Sequence, residues 1–124
     1  MTLPINVSFD MRAPEWATPT QELYSAAIEM AAFADRIGVQ RIGLMEHHGS
    51  EDGYLPQPFT LCAAMAAVTK QVGFNLGAVI LPLHDPVMVA EQLTILDLIS
   101  DGRVNVIFGA GYVPYEFAMF GKSL

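Results

Sequence analysis

"FNLGAVILPLHDPVMVAEQLTILDLISDGRVNVIFGAG", Phe74 to Gly111, holds a strand, a helix and another strand with little between them. Phe74–Leu81 is continuously apolar, as a strand covered on both faces should be. Asp85 stands just before Pro86, a natural N-cap followed by a proline at the first helical position. The helix they open carries Val89, Leu93, Leu96, Asp97 and Leu98, and Gly102 closes it. Glu91, inside it, reads as a packing or ion-pair residue rather than a base. "SDGR", Ser100–Arg103, reads as a helix stop with a charged exit that needs no functional role. Val104–Phe108 is the second strand. Two strands joined through a helix pair in parallel by a right-handed crossover.

The same unit extends in both directions. Ile5–Phe9 alternates as a first strand, and a loop with Pro14 and Trp16 follows. Thr18 is expected to cap a helix, with Pro19 at its first position and Gln21 completing a capping box. Leu23, Ala26, Ala27, Met30, Phe33, Ala34 and Ile37 fall near helical spacing, and Gly38 ends the helix as a left-handed cap. Arg41–Met45 reads as a strand and Phe59–Lys70 as an alanine-rich helix. Beyond Phe108 come "GAGY", Gly109–Tyr112, and a short helical turn at Pro114–Phe120. The order is βαβαβαβ. It fits a small doubly wound sheet or the first part of a (β/α)8 barrel, which when complete takes about 250 residues.

Composition narrows the function classes. The 124 residues carry a net charge of −7, with six Lys and Arg in all. That argues against nucleic acid, which is bound through clustered cations. Mean hydropathy is +0.37. The longest apolar stretches, Ala63–Val68 and Gly77–Leu83, fall well short of the ~20 residues of a membrane span. No basic segment followed by an apolar one opens the chain. The single cysteine, Cys62, has apolar neighbours and reads as a small core residue. A cytoplasmic location is expected.

Glu46–His47–His48 sits where the second strand ends. Parallel sheets build their sites at that end. Adjacent strand residues point to opposite sides, so one histidine should face a cavity while the other packs against loop or helix. There is no H-E-x-x-H pair and no second Cys/His cluster beyond His84, so no metal site is expected. His84 reads as a loop residue near the same face. "GAGY" suits close approach of backbone to a ligand, but is not the full dinucleotide fingerprint.

Taken together, "EHHGSEDGYLPQP", "LPLHDPVMVAEQLTILDLISDGR" and "FGAGYVPYEFAMFG" resemble the bacterial-luciferase-like, flavin-dependent oxidoreductases, in order and separation, over nearly the whole chain. The resemblance implies a (β/α)8 barrel of which residues 1–124 form the N-terminal half, the C-terminal half being absent from this chain. It implies a monooxygenase using reduced FMN and O2 on a small organic substrate. The alternatives are an F420-dependent hydride-transfer enzyme of the same superfamily and a non-catalytic flavin-binding fragment. His47 matches the catalytic histidine, and Glu46 an acid lining the flavin site. Gly77 and Ala78 match a place where the family often has a non-prolyl cis peptide under the flavin ring. Gly109, Gly111 and Tyr112 match the cofactor-facing turn after the fourth strand. Where the luciferases proper have an arginine for the flavin phosphate, this chain has Ala110, so that anchor falls to loops after later strands. A flavin reductase as partner and a homo-oligomer are further expectations. Within such a barrel, Val7, Phe9, Leu44, Val79, Val106 and Phe108 are expected to fill the interior.

Overall fold

The computed structural model describes residues 3–124. Its elements run β1 (Asn6–Phe9), α1 (Thr20–Ile37), β2 (Arg41–Leu44), α2 (Pro58–Ala67), β3 (Gly73–Ile80), a 3-10 turn (Leu81–Leu83), α3 (Pro86–Ser100), β4 (Val104–Gly109) and α4 (Pro114–Met119). All pairings are parallel, in the order β1-β2-β3-β4. The expected alternation holds, with boundaries moved by one to three residues, the largest shift being the end of α2 at Ala67 rather than Lys70.

Asp85 caps α3 as expected, its carboxylate accepting from the N–H groups of Val87 at 2.9 Å and Met88 at 3.1 Å. Gly38 closes α1 at φ 83°. The start of α1 differs from expectation. Pro19 occupies the N-cap, and no side chain hydrogen-bonds the helix end. Thr18 is therefore not the cap, and the predicted capping box does not form.

The face that α1 turns inward also differs. Ala27, Ala31 and Ala34 are its buried residues, while Met30, Phe33 and Ile37 are more than half exposed. Small side chains let this helix lie close on the sheet, and the larger ones are turned outward. From α2, Leu61, Cys62 and Met65 join the same core, and from α3, Val89 and Leu96. Burial, slightly offset by the positive charge of Arg103, pushes the Cys62 thiol up to about 12. At that value it is a packing group rather than a nucleophile.

Register explains which sheet face the helices cover. Two apolar rows cross all four strands: Val7, Ile42, Phe74 and Val104, then Phe9, Leu44, Leu76 and Val106. These residues pack with the helices in one cluster. The expectation that Val7, Phe9, Leu44, Val79 and Val106 would line a barrel interior is thus overturned: period-2 alternation sends Val7, Phe9, Leu44 and Val106 to the helical side, and the register shift between Gly77 and Val79 puts Val79 in the same cluster. Between those rows runs Ser8, Gly43, Asn75 and Asn105, small and polar, on the opposite face. Asn105 Nδ2 donates to Asn75 Oδ1 across it at 3.3 Å. Phe108, beyond the irregularity at Gly77–Val79, is half exposed. No helix among the described residues is long and apolar enough to cross a membrane.

Candidate active site

The C-terminal ends of β2, β3 and β4 surround a cavity of about 330 Å³. β2 delivers Met45, Glu46 and His47 to it, β3 delivers Gly77, Ala78 and Ile80, and the turn after β4 delivers Gly109 to Tyr112. All seven residues picked from the sequence, Glu46, His47, Gly77, Ala78, Gly109, Gly111 and Tyr112, lie in this one wall.

His47 and His48 part company as strand geometry requires. The His47 ring lines the cavity, with its side chain one-quarter exposed. Its main-chain N–H donates to Leu55 O at 3.0 Å, which fastens the long loop after β2. The Tyr54 ring meets the imidazole edge-on at 4.6 Å, and the Tyr112 ring stands 6.2 Å away. Nδ1 lies 2.9 Å from Glu116 Oε1. Among the described residues, Nε2 has no hydrogen-bond partner. His48 is buried on the other side, its ring against Phe120 at 4.8 Å.

Glu46 is buried and fully engaged. Oε1 accepts from His48 Nε2 at 2.6 Å and from His84 Nε2 at 2.7 Å, and Oε2 accepts from the Ile80 N–H at 2.8 Å. The carboxylate thereby ties the end of β2 to the end of β3 and to the loop entering α3. Glu46, His48 and His84 form a group of the kind that binds divalent metals. The sequence reading dismissed a metal, yet this cluster does converge. Its donor atoms stand at hydrogen-bonding separations and are committed to one another.

The floor is backbone. The Gly77–Ala78 peptide is cis, as the family resemblance implies. A Cβ added at Gly109 would come within 2.9 Å of Ala78 Cβ, and one at Gly77 within 3.2 Å of Ile107 Cδ1. These glycines keep a flat, side-chain-free surface that a planar ring can approach. Gly111 is demanded twice over. Its φ is +79°, and a Cβ there would lie 2.6 Å from the Phe117 ring. Gly111→Ala is expected to destabilise the chain by about 1–3 kcal/mol by displacing α4. A urea melt superimposable on that of the unmodified chain would refute this.

Residues 4–124 match the family described as luciferase-like monooxygenase. The chain belongs to that family. It is 33% identical over 97 residues to the oxygenase component of a flavin-dependent trigonelline monooxygenase from Acinetobacter baylyi, covering 78% of this chain and 27% of that protein. It superposes on the oxygenating constituent of 3,6-diketocamphane monooxygenase from Pseudomonas putida, solved in complex with FMN, with a TM-score of 0.87 and 27% identity over 98% of this chain and 33% of the other. An F420-dependent secondary alcohol dehydrogenase shares the fold, with a TM-score of 0.75 at 22% identity over the whole chain and 36% of that structure. The chain thus spans about a quarter of the curated relative's length and about a third of each solved chain.

With the family known, the cavity can be tested against a flavin. The glycine-lined floor suits the ring system. The phosphate is not provided for, because no Lys or Arg stands in the wall and Ala110 occupies the turn. Sequence reasoning missed Glu116, the carboxylate behind His47. The available signal was an acid inside a short helix made otherwise of apolar and aromatic residues, "PYEFAM".

Proposed function

We propose that this chain supplies the ring-facing wall of a flavin-dependent monooxygenase acting on a small organic substrate, with reduced FMN and O2, and with His47 as the proton-handling residue. The carrying observation is that His47, the Gly77–Ala78 floor and the Gly109–Tyr112 turn meet around one cavity. When bound, the flavin supplies the reducing electrons and the reaction with oxygen. The protein's share is positioning, exclusion of water and proton transfer. Glycines give the ring its seat. Tyr54 holds the His47 imidazole edge-on. His47 Nε2 is free to give or take a proton at the cavity. In the same reading the chain forms the first four strands of a (β/α)8 barrel, phosphate contacts come from elsewhere in that barrel, and a separate reductase supplies reduced flavin.

The test is titration with FMN and with F420, followed by oxygen uptake on mixing the reduced complex with air. Preference for FMN with flavin-dependent oxygen uptake is expected. Preference for F420, with hydride exchange and no oxygen uptake, would replace this reading by the deazaflavin one. Binding of neither would refute both for this chain.

A further inference from the structure

Glu116 is completely buried, yet one of its carboxylate oxygens, Oε2, has no hydrogen-bond partner, the one such buried side-chain atom among the described residues. The other, Oε1, accepts from the main-chain N–H of His48 at 3.0 Å and lies 2.9 Å from His47 Nδ1. A main-chain N–H can only donate, which marks Oε1 as the accepting oxygen. Facing an ionised carboxylate, which only accepts, Nδ1 must carry the proton, and the neutral ring then presents a bare Nε2.

We infer that Glu116 is a positioning residue that fixes His47 in the Nδ1–H tautomer, so that the lone pair of Nε2 is the one offered to the cavity. The inference rests on the proposed role of His47 and deepens it. A purely structural acceptor for these two donors needs only one oxygen. A glutamine carbonyl would do as well, and a carboxylate buried with one oxygen idle is an unfavourable choice for that purpose. What the carboxylate adds is negative charge 2.9 Å from the ring nitrogen, placed to balance the imidazolium that forms when Nε2 takes a proton. α4 carries this device, and Gly111 with Phe117 sets where α4 lies.

The experiment is nitrogen-15 NMR of the histidine rings in the labelled chain, with no flavin, oxygen substrate or reductase present. Neutral His47 is expected as the Nδ1–H tautomer. Glu116→Gln should keep it, because the amide oxygen can occupy the place of Oε1. Glu116→Ala should return the ring to the Nε2–H form that free histidine prefers. Wild-type His47 in the Nε2–H form overturns the inference even if the alanine variant does not fold. A folded alanine variant that retains Nδ1–H overturns it too. Because no cofactor takes part, either result would leave the flavin reading intact, and failure of flavin to bind would leave the tautomer result intact.

Discussion

His47→Ala is expected to lower turnover with reduced flavin by about 10²- to 10⁴-fold, the usual worth of a positioned acid or base, while flavin affinity changes only a few-fold. The split follows from where the ring sits. Most of the flavin seat is backbone and small side chains at Gly77, Ala78, Gly109 and Gly111, none of which the substitution touches. The imidazole touches the cavity with one edge and is held from behind by Glu116 and from the side by Tyr54. Removing it deletes a proton carrier and opens a small space, and leaves the floor in place. The measurement is a flavin binding titration beside steady-state rates, on a form of the protein that turns over. Near-normal turnover would return His47 to an ordinary loop residue. Equal losses in affinity and rate would make it a binding residue.

The order of elements could be read from the sequence because each boundary carries a local cause. Asp85 before Pro86, Gly38 in the left-handed region and the largely apolar run of β3 act through their immediate neighbours. Which side of the sheet each strand shows to the helices was not legible. Val7, Phe9 and Leu44 are apolar wherever they point, and only the register with β3 assigns them to the helical face. The α1 stripe failed for a related reason. Alanine gives a weak periodic signal, although close packing prefers it.

The site divides in the same way. His47 and the glycines announce themselves by type and by position at strand ends. Glu116 lies 69 residues beyond His47 and reaches it only through the fold. The Glu46–His84 contact, 38 residues apart, is equally invisible along the chain. Long-range polar pairs of this kind need three-dimensional convergence, which no spacing rule encodes.

Arg103 is the sharpest instance, and the second large effect. In sequence it ends "SDGR" and looks like a charged exit. In the fold all five of its guanidinium N–H donors are used. Nε donates to Ser100 O at 2.5 Å, Nη1 to Thr69 Oγ1 at 2.9 Å and Val72 O at 2.8 Å, and Nη2 to Ala66 O and Thr69 O, both at 3.1 Å. Ala66 belongs to the last turn of α2, whose carbonyls have no partner within the helix. The same connection is held on its N–H side by Asp35, which accepts from Lys70, Gln71 and Val72. Partial burial raises the Asp35 carboxyl, but those three donors, with Arg103 nearby, outweigh it and hold the group below the usual carboxylate range. Its contribution is therefore present above that range and drains away as pH falls through the lowered value. Arg103→Ala would take the guanidinium donors away from four main-chain carbonyls at once, those of Ala66, Thr69, Val72 and Ser100, and detach the start of β4 from the α2–β3 connection. Hydrogen bonds to a charged group are worth about 1.5–3 kcal/mol each and overlap when they share one side chain, so a loss of about 3–5 kcal/mol is expected. Set against a typical total of about 5–15 kcal/mol, that leaves a marginal fold. Arg103→Lys should recover only a minor part, because one ammonium cannot serve acceptors fanned around a planar fork. Urea unfolding of the three chains, followed by circular dichroism, is the measurement. An alanine variant within about 1 kcal/mol of wild type, or a lysine variant equal to it, would show that the fork is decorative and that β4 is held by the sheet alone.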